Sequence, residues 1–170
     1  MALTGKLGFK TDIAHTGASD LSTLLDTMNS SVLPLWPITD GTGLNEADVI
    51  WHDQRTLASS TSEEIDLAGS LTDVFGTVLT FARIKGILIS SALANGALIQ
   101  VGGSASNGFV NWVASATDII NVRNGGTFAL IAPDATAYAV TAGTGDKLKI
   151  TNTDGAATAT YDIIIIGASA

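Results

Sequence analysis

Residues 147–167 read KLKITNTDGAATATYDIIIIG, and how this stretch folds decides the rest. Leu148 and Ile150 alternate with Lys147, Lys149 and Thr151, the period-2 pattern of a half-buried strand. Asp154-Gly155 then marks a turn, and a second strand follows, so the segment is expected to be a β-hairpin turning at that dipeptide. The second strand ends in four isoleucines, Ile163, Ile164, Ile165 and Ile166. Successive strand residues point to opposite faces, so isoleucine lands on both. One face belongs to a core; the other needs a cover.

Upstream, the same texture continues. ADVIWHDQRTLA (47–58), EEIDL (63–67), VLTFARIKGILIS (78–90), ALIQVGG (97–103), TFALIAP (127–133) and AYAVTAG (137–143) read as strands. The pieces between them, such as SALANG, GGSASNG, RNGG and PDAT, are turn compositions. VFG (74–76) belongs to a loop, and FVNWVASATDIINV (109–122) reads either as a loop plug or as a further short strand. Near the N-terminus, Leu21, Leu24, Leu25 and Met28 follow i, i+3, i+4, i+7, which predicts a short helix with Ser19 or Asp20 as its N-cap. Pro34 and Pro37 forbid its continuation. The expected fold is all-β: an antiparallel β-sandwich, jelly-roll-like, with a short N-terminal helix and an irregular arm. The arm covers residues 1–45 and the sandwich residues 46–170.

Composition narrows the function classes. Charged residues make up 14% of the 170-residue chain against a usual ~25%, leaving a weakly charged surface of small residues suited to contact with other proteins. Sixteen acids against eight bases give a net charge of −8 without a basic cluster, which argues against nucleic-acid binding. The chain has no cysteine for disulfides or thiolate metal sites. Neither a secretory h-region nor a run of ~18 apolar residues is present, so no membrane partner is expected.

Chemistry-bearing residues are few. His52 and Asp53 are strand neighbours on opposite faces and do not orient each other as a catalytic triad requires. Asp40, Asp73, Asp118, Asp134, Asp146 and Asp154 sit in turns, where aspartate caps its own backbone. Glu63, Glu64 and Asp66 form one acidic cluster, read as a solvated face or a contact for a partner's basic patch. DGTGLNEAD (40–48) has the oxygen-rich style of a calcium loop, but Gly43 stands where a ligand is wanted. The glycine motifs lack the lysine and following helix of a phosphate loop. No catalytic, cofactor or metal residue is assigned, and an enzyme is not expected.

Beyond residue 46 the chain resembles a group of small virion proteins of tailed bacteriophages. The resemblance is carried by DQRTL (Asp53–Leu57), IDLAGSLTD (Ile65–Asp73), VRNGG (Val122–Gly126), APDAT (Ala132–Thr136) and TAGTGD (Thr141–Asp146). It implies a capsid decoration (cement) protein on the virion surface, commonly a homotrimer, bridging subunits of the major capsid protein. On that reading Ile163 to Ile166 supply an oligomer interface, with cover by the N-terminal helix or a loop of the same chain as the alternative. Leu33, Trp36 and Ile38 are the candidate docking residues of the arm, on the capsid or on a neighbouring copy, since the flanking prolines lower the entropy lost on docking and Trp is a common interface anchor; the alternative is that Trp36 packs on its own domain. A tail or fibre component that binds host-surface glycan is the rival reading.

Overall fold

The computed structural model describes residues 2–7, 11–18, 23–30 and 36–170, the second and third of these spans as backbone alone. The arm region holds β1 (Gly5–Leu7), β2 (Thr11–Ala18), β3 (Thr23–Ser30) and β4 (Trp36–Ile38). The body begins with β5 (Val49–Leu57), β6 (Ser62–Asp66), β7 (Ala68–Thr72), β8 (Val78–Thr80), β9 (Arg83–Ser91) and β10 (Ile99–Gly102). It continues with β11 (Ile119–Val122), β12 (Thr127–Ile131), β13 (Tyr138–Ala139), β14 (Lys147–Asn152) and β15 (Ala159–Ala168).

Two sheets make the sandwich. One runs β12-β9-β15-β5, with β13 also paired to β9; the other runs β11-β10-β14-β6. The pairing is nested. The first strand of the body pairs antiparallel with the last, β5 with β15, and inside that pair lie β6 with β14, β9 with β12 and β10 with β11. A long hairpin rolled over itself has this order, and the β9–β15 and β10–β14 pairs close the roll. The architecture is a jelly roll, two Greek keys in two packed sheets.

Three local expectations are corrected. Residues 147–167 are not a hairpin: β14 and β15 lie in different sheets and do not pair. Residues 153–158 form a corner between the sheets. The Asp154 carboxylate accepts the N–H groups of Ala156 (2.8 Å) and Ala157 (3.0 Å), while buried Asn152 donates to the carbonyls of Ala58 and Ala157, each at 2.9 Å. Turn chemistry sets the bend, and the next strand pairs with β5 and β9 in the other sheet.

The expected N-terminal helix is a strand over the part described. β3 pairs antiparallel with β2 from Thr11↔Ser30 to Ala18↔Thr23, in a sheet of its own. Ser19, Asp20 and Leu21 lie outside the described residues. A helix this short is marginal in water, and Thr23 and Thr27 prefer extended backbone. No helix occurs among the described residues.

The expected long strand from Val78 to Ser90 breaks at Phe81 and Ala82. There the backbone changes partners: the Phe81 N–H donates to Leu67 O (2.9 Å) and the Ala82 N–H to Ala168 O (2.8 Å). Val78–Thr80 instead closes a separate hairpin with β7.

The core lies between the sheets. Trp51, Leu57, Ile87, Ile89, Ile163 and Ile165 from one sheet meet Ile65, Ile99, Val101, Leu148 and Ile150 from the other, all buried. Each buried Ile or Leu stabilises the fold by about 1.5–3 kcal/mol relative to exposure. Phe109 and Trp112 plug one part of this layer, Trp112 tilted against Phe128 with ring centroids 5.3 Å apart. FVNWVASATDIINV is therefore both alternatives in turn, a plug followed by β11.

Candidate docking surface

The outward side of the β12-β9-β15-β5 sheet is ordered in rows by its register. At one end Thr56 and Thr160 stand opposite each other, and the next row is Thr127–Ser90–Asp162–Gln54. These bond among themselves, Gln54 Nε2 donating to Asp162 Oδ1 at 2.9 Å. The middle row is Ala129–Leu88–Ile164–His52, and the last is Ile131–Gly86–Ile166–Ile50. Polarity thus falls along β15 from Thr160 to Ile166. The side chains that need a cover sit at the apolar end.

The arm covers part of that end. β1 pairs with β4, Leu7 opposite Trp36, and the pair packs on the sheet. Trp36, Ile38 and Ala47 form a buried cluster to which Leu3, Leu7, Ile131 and Ile166 add. Trp36 Nε1–H donates to Asn45 Oδ1, and the Asn45 N–H donates to Pro133 O at 2.9 Å. Lys85, fully buried at the β-bulge near Ile166, donates to the Gly43 carbonyl and ties the 39–47 loop to β9. Burial lowers its ammonium's pKa.

Among the described residues the cover stops short. Between β1 and the sheet an apolar groove of about 260 Å³ remains, lined by Leu3, Leu7, Ile50, Leu88, Ile164 and Ile166, with Lys6 the charged residue among its described lining. Of the four isoleucines expected at an oligomer contact, Ile163 and Ile165 face the core, and Ile164 and Ile166 line this groove. Of the three expected docking residues, Trp36 and Ile38 are buried against their own chain, and Leu33 lies outside the described residues. One packed cluster holding Trp36, Ile38 and Ala47 spans the expected boundary between arm and sandwich.

Beside the groove stands the β7–β8 hairpin. Its tip carries Val74 at 72% and Phe75 at 70% exposure, with Val78 also exposed below. The tip is braced: Asp73 Oδ1 accepts the N–H groups of Phe75 (2.9 Å) and Thr77 (2.8 Å). The Asp73 N–H donates to Thr77 O at 2.9 Å, and Gly76 takes φ +85°, open to glycine at low cost. Between this hairpin and β5 runs a wider groove of about 710 Å³, with Asp48, His52, Asp53 and Arg55 on one wall and Thr72 and Phe75 on the other. Sequence reading placed Val74 and Phe75 in a loop and missed the tip. The available signal was a bulky apolar pair held between Asp73 and Gly76, where turns ordinarily carry polar residues.

Among the described residues, most acidic side chains have partners within the chain. Glu63 faces inward, accepting Tyr161 O–H on Oε1 at 2.7 Å and the Arg55 guanidinium on Oε2. That hydrogen bond raises the Arg55 pKa, and burial raises the Tyr161 phenol well above its usual value. Glu64, still exposed, accepts Ser104 O–H (2.7 Å), and Asp66 pairs with Lys147 at 2.6 Å. Asp73, Asp118, Asp134, Asp146 and Asp154 each accept N–H groups of their own loop, while Asp40 accepts the Leu3 N–H from the arm. In the 40–48 loop Glu46 accepts the Gly43 N–H at 2.7 Å, and Lys85 already supplies a cation to that loop. His52 is exposed on the outer side of β5, away from Asp53.

Set against known proteins, the chain matches no family model, no curated protein and no solved structure.

Proposed function

We propose that this is a structural virion protein that decorates a bacteriophage capsid, stabilising the shell by bridging subunits of the major capsid protein. The observation that carries the reading is the apolar surface left on a jelly-roll body: the groove holding Ile164 and Ile166, and the Val74–Phe75 tip beside it. Exposed apolar surface of this kind marks a protein contact. The resemblance of the DQRTL, IDLAGSLTD and APDAT stretches to small phage virion proteins supplies the shell as the setting, and jelly rolls are frequent in capsids. Packaged DNA presses such a shell outward. A clip across each subunit border adds contact energy, and repetition over many copies multiplies it.

On this reading the protein acts as a homotrimer on the capsid surface. Quantitative mass spectrometry of purified virions, with electron microscopy of the particle, tests the proposal. Hundreds of copies on the shell are expected; a handful at the tail would exclude decoration. The rival, a tail or fibre component that binds glycan, is favoured by the wider groove, where Phe75 faces Asp48, His52 and Arg55.

A further inference from the structure

We infer that copies of this chain associate by a knob and groove, the Val74–Phe75 tip of one copy seating in the apolar groove beside Ile164 of another. The two halves belong to the same polypeptide, so a second copy supplies both in equal number. The tip is apolar and more than two-thirds exposed, and the groove is lined by Leu3, Leu7, Ile50, Leu88, Ile164 and Ile166. Their charges are complementary: Asp73 is the charged residue of the tip, and Lys6 is that of the groove. In a chain of net charge −8, where copies repel on average, this places the opposite signs at the point of contact.

Rigidity favours the same occupant. The hydrogen bonds from Phe75 and Thr77 to Asp73 hold the tip in one shape before contact, which lowers the ordering cost of docking. Tip and groove are different surfaces, so the contact either reciprocates across a twofold axis or runs head to tail and closes as a ring. The inference deepens the homo-oligomer part of the proposed function by naming the contact, and it stands whether or not the protein sits on a capsid.

The test uses the purified full chain. Analytical ultracentrifugation across the micromolar range is expected to show an oligomer. Phe75→Ser is expected to weaken self-association at least tenfold with an unchanged melting temperature. The chain's lack of cysteine permits a direct check. Val74→Cys and Leu88→Cys proteins, mixed and oxidised, are expected to give a cross-linked dimer containing one of each. A wild-type chain that stays monomeric throughout that range overturns the inference. An oligomer that keeps its affinity in Phe75→Ser and forms no mixed cross-link also overturns it, while leaving association through another surface, and the virion copy-number test, untouched.

Discussion

Leu7 lies directly over Gly86: its Cδ2 is 2.9 Å from the point where a side chain on Gly86 would begin. Gly86 sits between Ile166 and Ile131 in the apolar row of the sheet, so its missing side chain makes the seat that lets β1 close down. Gly86→Val fills that seat. Leu7 ends a strand of three residues and yields first. The body is therefore expected to melt within a few degrees of the wild type, while β1 becomes labile. Hydrogen exchange checks this: faster exchange over residues 5–7, with β9 and β15 unchanged, is the expected pattern, and equal slowing or no change at β1 contradicts it.

Glu63 is the joint between the sheets. Tyr161 on β15 and Arg55 on β5, cross-strand partners in one sheet, both reach this carboxylate on β6 of the other. Glu63→Ala strands a buried phenol and leaves Arg55 with Asp53 alone, at 3.1 Å. The expected loss is about 1–3 kcal/mol, the cost of unsatisfied buried polar groups. Urea titration measures it; a loss below a few tenths would show that water replaces the network.

The same joint sets the alkaline limit. Burial, then the hydrogen bond to Glu63, raises the Tyr161 pKa, so its phenol stays neutral in the folded chain after it would ionise at about 10 in the unfolded one. The unfolded state then binds fewer protons, and stability falls as pH rises. That contribution is fully present below about pH 10 and declines above it. Tyr161→Phe is expected to be less stable at pH 7 yet to show a shallower decline between pH 10 and 12, measured by thermal melts across the range.

At low pH the sign reverses. The Lys147 ammonium lowers the Asp66 pKa, the N–H groups of Ala137 and Thr136 lower that of Asp134, and those of Ala156 and Ala157 lower that of Asp154. Groups with depressed folded values stabilise above the unfolded carboxylate pKa of about 3.9 and lose that contribution as pH falls through the folded values. The melting temperature is expected to be level from pH 8 to pH 5 and to drop below about pH 4. The combined Asp134→Asn, Asp154→Asn variant should drop less steeply; an identical acid limb in the variant would remove these turns from the explanation.

Strands were legible in the sequence wherever one face met the core. β5, β12 and β14 announce themselves by alternation, and the capping aspartates by their place in turns. What stayed hidden was the pairing. Asp154-Gly155 reads equally well as a hairpin turn or a corner between sheets, because both bend the chain alike. The helical spacing of Leu24, Leu25 and Met28 gave no warning that residues 11–18 offer a partner strand. The docking surface was half legible: Ile163–Ile166 signalled two buried faces, but Leu7 has no pattern around it, and its role rests on a glycine about eighty residues away. Trp36 read equally well as an anchor for a partner or for its own domain, and it is packed in its own domain.

Ile164 and Ile165 make the sharpest comparison, since adjacent residues of identical chemistry face opposite ways. Ile165 is fully buried between the sheets beside Ile87, its cross-strand neighbour. An aspartate there is an unpaired buried charge in place of a core side chain, a change of more than about 4 kcal/mol, large against a typical fold stability of ~5–15. Ile165→Asp is expected to leave the chain unfolded or insoluble. Ile164 is half-buried on the outer side between Leu88 and His52, where an aspartate can still reach water, and the expected cost is about 1 kcal/mol from the apolar area lost. Ile164→Asp should therefore fold, with a near-native circular dichroism spectrum. It also puts a negative charge on the groove wall where Asp73 of another copy approaches, so it should be monomeric by ultracentrifugation and fail to bind shells lacking the wild-type protein. A folded Ile164→Asp that still assembles would show that this side of β15 is not the contact, whatever surrounds the neighbouring isoleucines.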